Sequence, residues 1–434
     1  MNAFFAFATT RRFAPLFGTQ FLGAFNDNLF KTSFFVLISY YGLGQNAVLP
    51  ASQMLNLGAL LFVLPYFLFS ALAGQLATRF NKAHLAQAVK ILEVAIMLLA
   101  MYGFYHHSST LLFICIFLMG LHSTIFGPVK YAILPEYLSS QELLMGNGLI
   151  ESGTFLAILF GQILGTIMAS TNMLFLGGSV LLVAIMGLGF SLFMPSVAAQ
   201  NANTQVDYHI FRNTKTLMQH TWQQKKLASA IIGISWFWFI GSVYTTQLPT
   251  FVQKHLGGND NVFNLMLALF SIGIASGSVF CARISKGTLR LGLVVIGSIG
   301  LTLFGSLLVF FANGLHAHNA TQGIFAFLSN GFAYPIIIIM IFIGFFGGFF
   351  SVPLYTWLQT SSDDEFRAQA IAANNVVNAI FMVAAALISA LLLWLFDSIL
   401  LLYLLVALGN LPLIAYLILR EKSILTDIKQ WFIS

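Results

Sequence analysis

The chain is a succession of apolar runs, each roughly 20 residues long and separated by polar or glycine-rich breaks, and this restricts its fold more than any other feature. A helix of ~20 residues rises ~30 Å, the hydrocarbon thickness of a bilayer. Lipid offers no partner for backbone N–H and C=O groups, so such runs specify helices that satisfy their own hydrogen bonds. With 59% hydrophobic and 7% charged residues, a soluble globular fold is excluded. The expected spans are 13–41, 53–79, 83–105, 109–132, 141–169, 172–195, 228–252, 262–283, 288–312, 334–358, 366–394 and 398–419, about twelve helices in an all-α polytopic membrane protein.

The one long hydrophilic stretch, 197–227, carries Arg212, Lys215, Lys225 and Lys226 and divides the chain into two six-helix halves, 1–196 and 228–419. Placing the N-terminus inside gathers Arg11, Arg12, Arg79, Lys82, Lys130, Arg283, Lys286, Arg290, Arg367, Arg420, Lys422 and Lys429 on the cytoplasmic side with the linker, and leaves Lys254 outside. Both termini are therefore expected in the cytoplasm. The longest external loop, about 313–334, has no lysine or arginine. The tail 420–434 sets Ile424, Leu425, Ile428, Trp431 and Phe432 near one helical face, as in a helix lying along the cytoplasmic membrane surface. The formal charge of +6 is dispersed between apolar runs, a topology signal, and nucleic-acid binding is excluded. Arg11 and Arg12 precede a first run longer than a signal-peptide core, which reads as a retained span. Cys115 and Cys281 fall inside apolar runs and read as small buried hydrophobes, with no metal site or disulfide expected.

Matching residues recur in the same order in both halves, the mark of an internal repeat. Phe21-Leu22-Gly23-Ala24 aligns with Phe239-Ile240-Gly241-Ser242, an offset that pairs Asp27 with Thr245 and Thr32 with Thr250. Gly74 and Arg79 recur as Gly277 and Arg283. Pro128, Tyr131, Asn147 and Glu151 recur as Pro353, Tyr355, Asn374 and Asn378.

Within the first run, Phe25-Asn26-Asp27-Asn28-Leu29-Phe30-Lys31 places ionisable groups roughly 20 Å into a ~30 Å layer. A charge at that depth costs on the order of 3 kcal/mol and marks a substrate path, a partner or a coupling site. Asp27 and Lys31 are spaced i, i+4, so an intrahelical ion pair would lower the burial cost of both. Asn26 and Asn28 lie on other faces of the helix, where they can bond neighbouring helices and hold the carboxylate's orientation. Glu151, one turn after Asn147 among Gly146, Gly148, Ser152 and Gly153, reads as a substrate contact or a titratable coupling group. Lys130 follows the helix-perturbing Pro128, where an ammonium meets either a phosphate or the interface.

Lys90 and Glu93 lie nearer a span end, where Lys90 either snorkels to the head groups while Glu93 pairs with it or takes part in gating with Gly74, Arg79, Lys82 and Arg367. The second half offers uncharged candidates for substrate binding: Tyr244, Thr245, Gln247, Tyr355, Asn374 and Asn378. Charge is thus concentrated in the first half. An enzyme is not expected: His255 and Asp260 show an acyltransferase-like spacing, but in a short external loop with no domain around them. There is no Walker-type phosphate loop, so ATP is not the expected energy source.

The Gly-x-Leu-Ala-x-Arg run at Gly74 to Arg79, with twelve spans around a basic central loop, resembles the major facilitator superfamily, with Thr78 where the superfamily's usual acidic residue stands. Gln20-Phe21-Leu22-Gly23-Ala24-Phe25-Asn26-Asp27-Asn28, Gly127-Pro128-Val129-Lys130-Tyr131-Ala132-Ile133-Leu134 and Gly146-Asn147-Gly148-Leu149-Ile150-Glu151 are more specifically similar to the bacterial lysophospholipid transporter family. The resemblance implies the major facilitator fold in a bacterial cytoplasmic (inner) membrane. It also implies alternating-access movement of lysophospholipid, chiefly lysophosphatidylethanolamine, from the outer to the inner leaflet for reacylation. A separate acyltransferase and acyl-carrier-protein synthetase are then expected partners. No resident cofactor is expected beyond a coupling cation, sodium or proton. The other reading open at this point is a proton-coupled exporter of a drug, siderophore or other small molecule.

Overall fold

A computed structural model of the chain describes residues 3–44, 50–313 and 322–427. The long helices are α1 (Ala14–Tyr40), α2 (Ala51–Arg79), α3 (Lys82–Tyr105), α4 (Ser109–Ala132), α5 (Ser140–Ala169), α6 (Met173–Leu192), α7 (Lys225–His255), α8 (Asp260–Ile284), α9 (Gly292–Asn313), α10 (Ala333–Ser361), α11 (Arg367–Phe396) and α12 (Ile399–Arg420), the last interrupted at Gly409. They coincide with the expected spans to within a few residues. Eleven of them are long and apolar enough to cross a membrane; α1 is as long, but Asn26, Asp27, Asn28 and Lys31 make it more polar than the rest. The fold is all-helical, and an isolated bridge between Gly258 and Gln322 is the only β-pairing among the described residues.

Polar residues in the breaks fix where the helices start. Asn81 caps α3 by accepting from the N–H groups of Ala83 and His84, and Asn172 and Ser398 do the same for α6 and α12. Ser139 and Glu142 form a reciprocal capping box at the start of α5, and Glu142 also receives two hydrogen bonds from Arg12, at 2.5 and 2.8 Å.

The chain forms two compact units. The first comprises Met1–Gly146, Leu156–Gln223 and Ser362–Ala379; the second comprises Asn147–Phe155, Gln224–Ser361 and Ile380–Ser434. The first has a core of Leu29, Phe30, Phe34, Met97, Phe104, Cys115, Met119 and Val180. Its α5 closes onto α1 through Gly161 and Gly165, a GxxxG pair: a Cβ on Gly161 would stand 2.5 Å from the carbonyl oxygen of Phe25, and one on Gly165 2.9 Å from that of Leu29. Ser33 Oγ donates to Gly165 O across the same seam. The backbone that presents Asn26, Asp27 and Asn28 is thereby clamped on one side.

In the second unit, Asn147 Nδ2 donates to Gln359 Oε1 at 2.6 Å and Thr356 Oγ1 at 3.0 Å, while Gln359 Nε2 donates back to Asn147 Oδ1 at 3.1 Å. Ser152 Oγ donates to Ala275 O at 2.7 Å, so the Asn147–Phe155 segment is tied to both α10 and α8.

Two segments beside the twelve long helices have structure of their own. The hydrophilic linker contains the helix Ile210–Gln223, which packs through Asn213, Leu217 and Thr221. In its first turn Arg212 grips Asp207, which precedes the helix, with two hydrogen bonds of 2.9 Å, and that guanidinium holds the Asp207 carboxyl down at about 2. In the tail, Ile424 is buried against the protein and Asp427 accepts from Leu291 N at 2.9 Å, so this part packs on its own unit. Ile428, Lys429, Trp431 and Phe432 lie outside the described residues, as does 314–321 of the external loop.

Candidate functional site

Five ionisable side chains converge among α1–α4 of the first unit. On α3, Glu93 is fully buried and forms an ion pair with the equally buried Lys90. Its Oε1 accepts from Asn26 Nδ2 of α1 at 2.8 Å, and its Oε2 lies 3.1 Å from His122 Nε2 of α4. Three groups thus share one carboxylate, which compensates the charge inside an apolar bundle. Lys90 fits because α6 presents Gly187 to it; a Cβ there would stand 2.6 Å from Nζ.

From the next residue of α4 the second carboxylate is held differently. Ser123 Oγ donates to Asp27 Oδ2 at 2.7 Å and lies 3.5 Å from His122 Nδ1. Tyr66 of α2 faces both Asp27 and Ser123. Asp27 Oδ1 has no hydrogen-bond partner, nor has Asn26 Oδ1. Asp27 and Lys31 are only partly buried, unlike Asn26, Lys90, Glu93 and His122. The cluster therefore has a sealed half and a partly accessible half, within which Asp27 Oδ1 itself is buried.

Several expectations change here. Asp27 and Lys31 make no direct ion pair: Asp27 turns to Ser123, whereas the Lys31 ammonium sits 4.6 Å from the Phe62 ring centroid of α2. Lys90 does not snorkel to an interface; it is buried in the pair with Glu93, beside the motif it was read apart from. Asn28 donates to Ala24 O of its own helix at 2.8 Å rather than to a neighbour, while Asn26 does reach α3.

Other sequence-derived candidates lie elsewhere. Lys130 stands near the end of α4 with its ammonium 4.5 Å from the Tyr131 ring centroid. In the second unit, Asn147 is engaged with Gln359 and Thr356, and Glu151 is fully buried one turn on. Tyr244 is buried with its ring 4.6 Å from that of Tyr403. Tyr355 accepts from Trp238 Nε1 at 2.9 Å, Thr245 is exposed and bonds Gly241 O, and Gln247 is half-buried. Asn374 and Asn378 are buried in the stretch of α11 that belongs to the first unit.

A second polar cluster in the first unit gathers the residues read as gating. Lys82 is buried and pairs with Glu136 at 2.7 Å, and Gln200 donates to the same oxygen at 2.9 Å. Arg367 pairs with Asp364 nearby. A Cβ on Gly74 would stand 2.7 Å from that of Ala372 of α11, and Thr78 returns its hydroxyl to Gly74 O. Arg79 is exposed, its guanidinium 5.5 Å from the Phe80 ring centroid.

His122, Ser123, Tyr66, Phe62 and Gly187 were not singled out from the sequence. A signal existed for His122, an ionisable residue in the middle of an apolar run by the same criterion as Asp27. Nothing in the sequence marked Phe62 or Gly187.

Among the described residues, eleven long apolar helices and a more polar first one, with compensated charges buried among the first four, are the construction of a polytopic membrane transporter. Residues 16–338 match the model of the Major Facilitator Superfamily, and the chain belongs to that superfamily. It is 27% identical over 365 residues to the lysophospholipid transporter LplT of Cronobacter sakazakii, covering 82% of each chain. It is 28% identical over 374 residues to LplT of Yersinia pestis, covering 85% of this chain and 83% of that one. Among solved structures it is similar in fold to the human organic anion transporter MFSD10, with a TM-score of 0.71 at 13% identity, covering 92% of this chain and 99% of that one. The Escherichia coli fucose:proton symporter FucP gives a TM-score of 0.70 at 11% identity, covering 94% and 98%.

Proposed function

We propose that this transporter moves lysophospholipid, chiefly lysophosphatidylethanolamine, from the outer to the inner leaflet of a bacterial cytoplasmic membrane by alternating access, supplying a separate acyltransferase system. The observation that carries this reading is the partly accessible half of the charged cluster. Asp27 and Lys31 are opposite charges roughly 6 Å apart along one helix. Each is left without an ionic partner, the one oriented by Ser123 and the other resting on Phe62. A zwitterionic head group has the complementary pattern: its ammonium meets Asp27 Oδ1, and its phosphate meets the Lys31 ammonium in a charge-assisted hydrogen bond. The LplT relatives support the same substrate class.

The sealed half provides support. Lys90, His122 and Asn26 gather on Glu93 and fix α1 against α3 and α4, so Asp27 is presented in one orientation. One acyl chain can remain against apolar helix surface while the head group is held. Lys82, Glu136, Arg367 and Asp364 are assigned to gating.

Identification by mass spectrometry of lipid retained by the purified protein tests the reading. Lysophosphatidylethanolamine is expected on the wild-type chain and depleted on Asp27→Asn and Lys31→Met. Equal retention by all three proteins would remove these residues from the site.

A further inference from the structure

His122 stands between the two carboxylates of the cluster. Its Nε2 lies 3.1 Å from Glu93 Oε2, its Nδ1 lies 3.5 Å from Ser123 Oγ, and Ser123 donates at 2.7 Å to Asp27. The groups around it are Asp27 and Lys31 from α1, Tyr66 from α2, Lys90 and Glu93 from α3, and Ser123 from its own α4. With both carboxylates and both ammoniums ionised the four charges cancel, and the cluster is then neutral when the imidazole is neutral. The imidazole can take up one proton and then present an N–H from each ring nitrogen to this network. His122 is 2% exposed, so water does not screen a charge imbalance around it.

A zwitterionic head group at Asp27 and Lys31 leaves the balance at zero, whereas a head group with a phosphate and no ammonium adds one negative charge. We infer that His122 sets the head-group charge selectivity of the site: an anionic lysophospholipid binds together with one proton, taken from water onto the imidazole, and a zwitterionic one binds without it. This rests on the lysophospholipid reading above. One N–H bond forms on the imidazole as the O–H bond of the hydronium ion that delivers the proton breaks, leaving a water molecule in the aqueous phase; no bond of the lipid changes. The imidazolium donates from Nε2 to Glu93 and from Nδ1 to Ser123, which keeps donating to Asp27. His122 touches no substrate in this scheme; it is a charge-balancing, positioning residue.

Calorimetric titration of the full chain in nanodiscs tests this, with lysophosphatidylethanolamine and lysophosphatidylglycerol each measured in two buffers of different ionisation enthalpy. The buffer dependence counts protons: about zero are expected for the ethanolamine lipid and about one for the glycerol lipid. In His122→Gln the proton uptake with the glycerol lipid disappears, and the preference for the ethanolamine lipid rises about tenfold. If that variant does not fold, the wild-type proton counts still decide. Equal counts for the two lipids overturn the inference and leave the transport reading standing. Failure of both lipids to bind overturns the reading, and the inference with it.

Discussion

Glu93→Gln removes one charge from the sealed half of the cluster while keeping an acceptor for Asn26, so it isolates the electrostatic contribution of the Glu93–Lys90 pair. Lys90 is left as a fully buried ammonium that has lost its ion-pair partner. Breaking a buried pair by removing one partner costs ~3–5 kcal/mol, and the insertion cost of a lone charge in a bilayer, ~3 kcal/mol, is of the same size. Lys90→Met, which preserves the stem's packing beside Gly187, strands Glu93 instead. The double variant removes both charges together and is expected within ~1 kcal/mol of wild type, giving a coupling of at least ~5 kcal/mol. Equilibrium unfolding in mixed micelles on increasing dodecyl sulfate measures all four corners of the cycle. Singles that each cost under ~1 kcal/mol, or a double whose cost is their sum, would refute the reasoning that the cluster is held by mutual charge compensation.

Gly187→Ala places a methyl group 2.6 Å from Lys90 Nζ and 2.7 Å from its Cε, and the displaced ammonium should leave Glu93 at a cost of roughly 1–3 kcal/mol in the same unfolding assay. Asn147→Ala strands the buried Gln359 amide and should cost about 1–3 kcal/mol, recovered in part by Gln359→Leu in the same chain. In the linker, Asp207 titrates at about 2 in the folded protein, below the usual carboxylate value of about 3.9, so its pair with Arg212 contributes fully above that higher value and is lost as pH falls toward the lower one. Arg212→Gln should raise the Asp207 midpoint toward the ordinary value, read by the pH dependence of its carboxyl carbon resonance.

The helices were legible because a bilayer makes helix length and apolarity nearly sufficient: the runs around 82–105 and 109–132 could be little else. The i, i+3 spacing of Lys90 and Glu93 also announced their pair. The same kind of spacing misled for Asp27 and Lys31, since spacing along a helix establishes proximity but not side-chain direction. Ser123 on α4 captured one and Phe62 on α2 the other, both choices made by tertiary neighbours. The burial of Lys90 was hidden for a related reason. Distance from a span end suggested an escape to the head groups, whereas Gly187, nearly a hundred residues away, leaves the space that lets the ammonium stay inside. Glu151 stood out as an isolated intramembrane acid, but its neighbour Asn147 is taken up by a carboxamide pair that no local pattern revealed.

The central claim is that Asp27 and Lys31 grip a lysophospholipid head group for transfer between leaflets. Its most direct test is albumin back-extraction of radiolabelled lysophosphatidylethanolamine from sealed proteoliposomes, comparing wild type with Asp27→Asn. The account predicts protein-dependent passage of label into the leaflet albumin cannot reach, and its loss in a folded Asp27→Asn. Passage no faster than in protein-free liposomes, with a soluble compound still transported by the same vesicles, would contradict it.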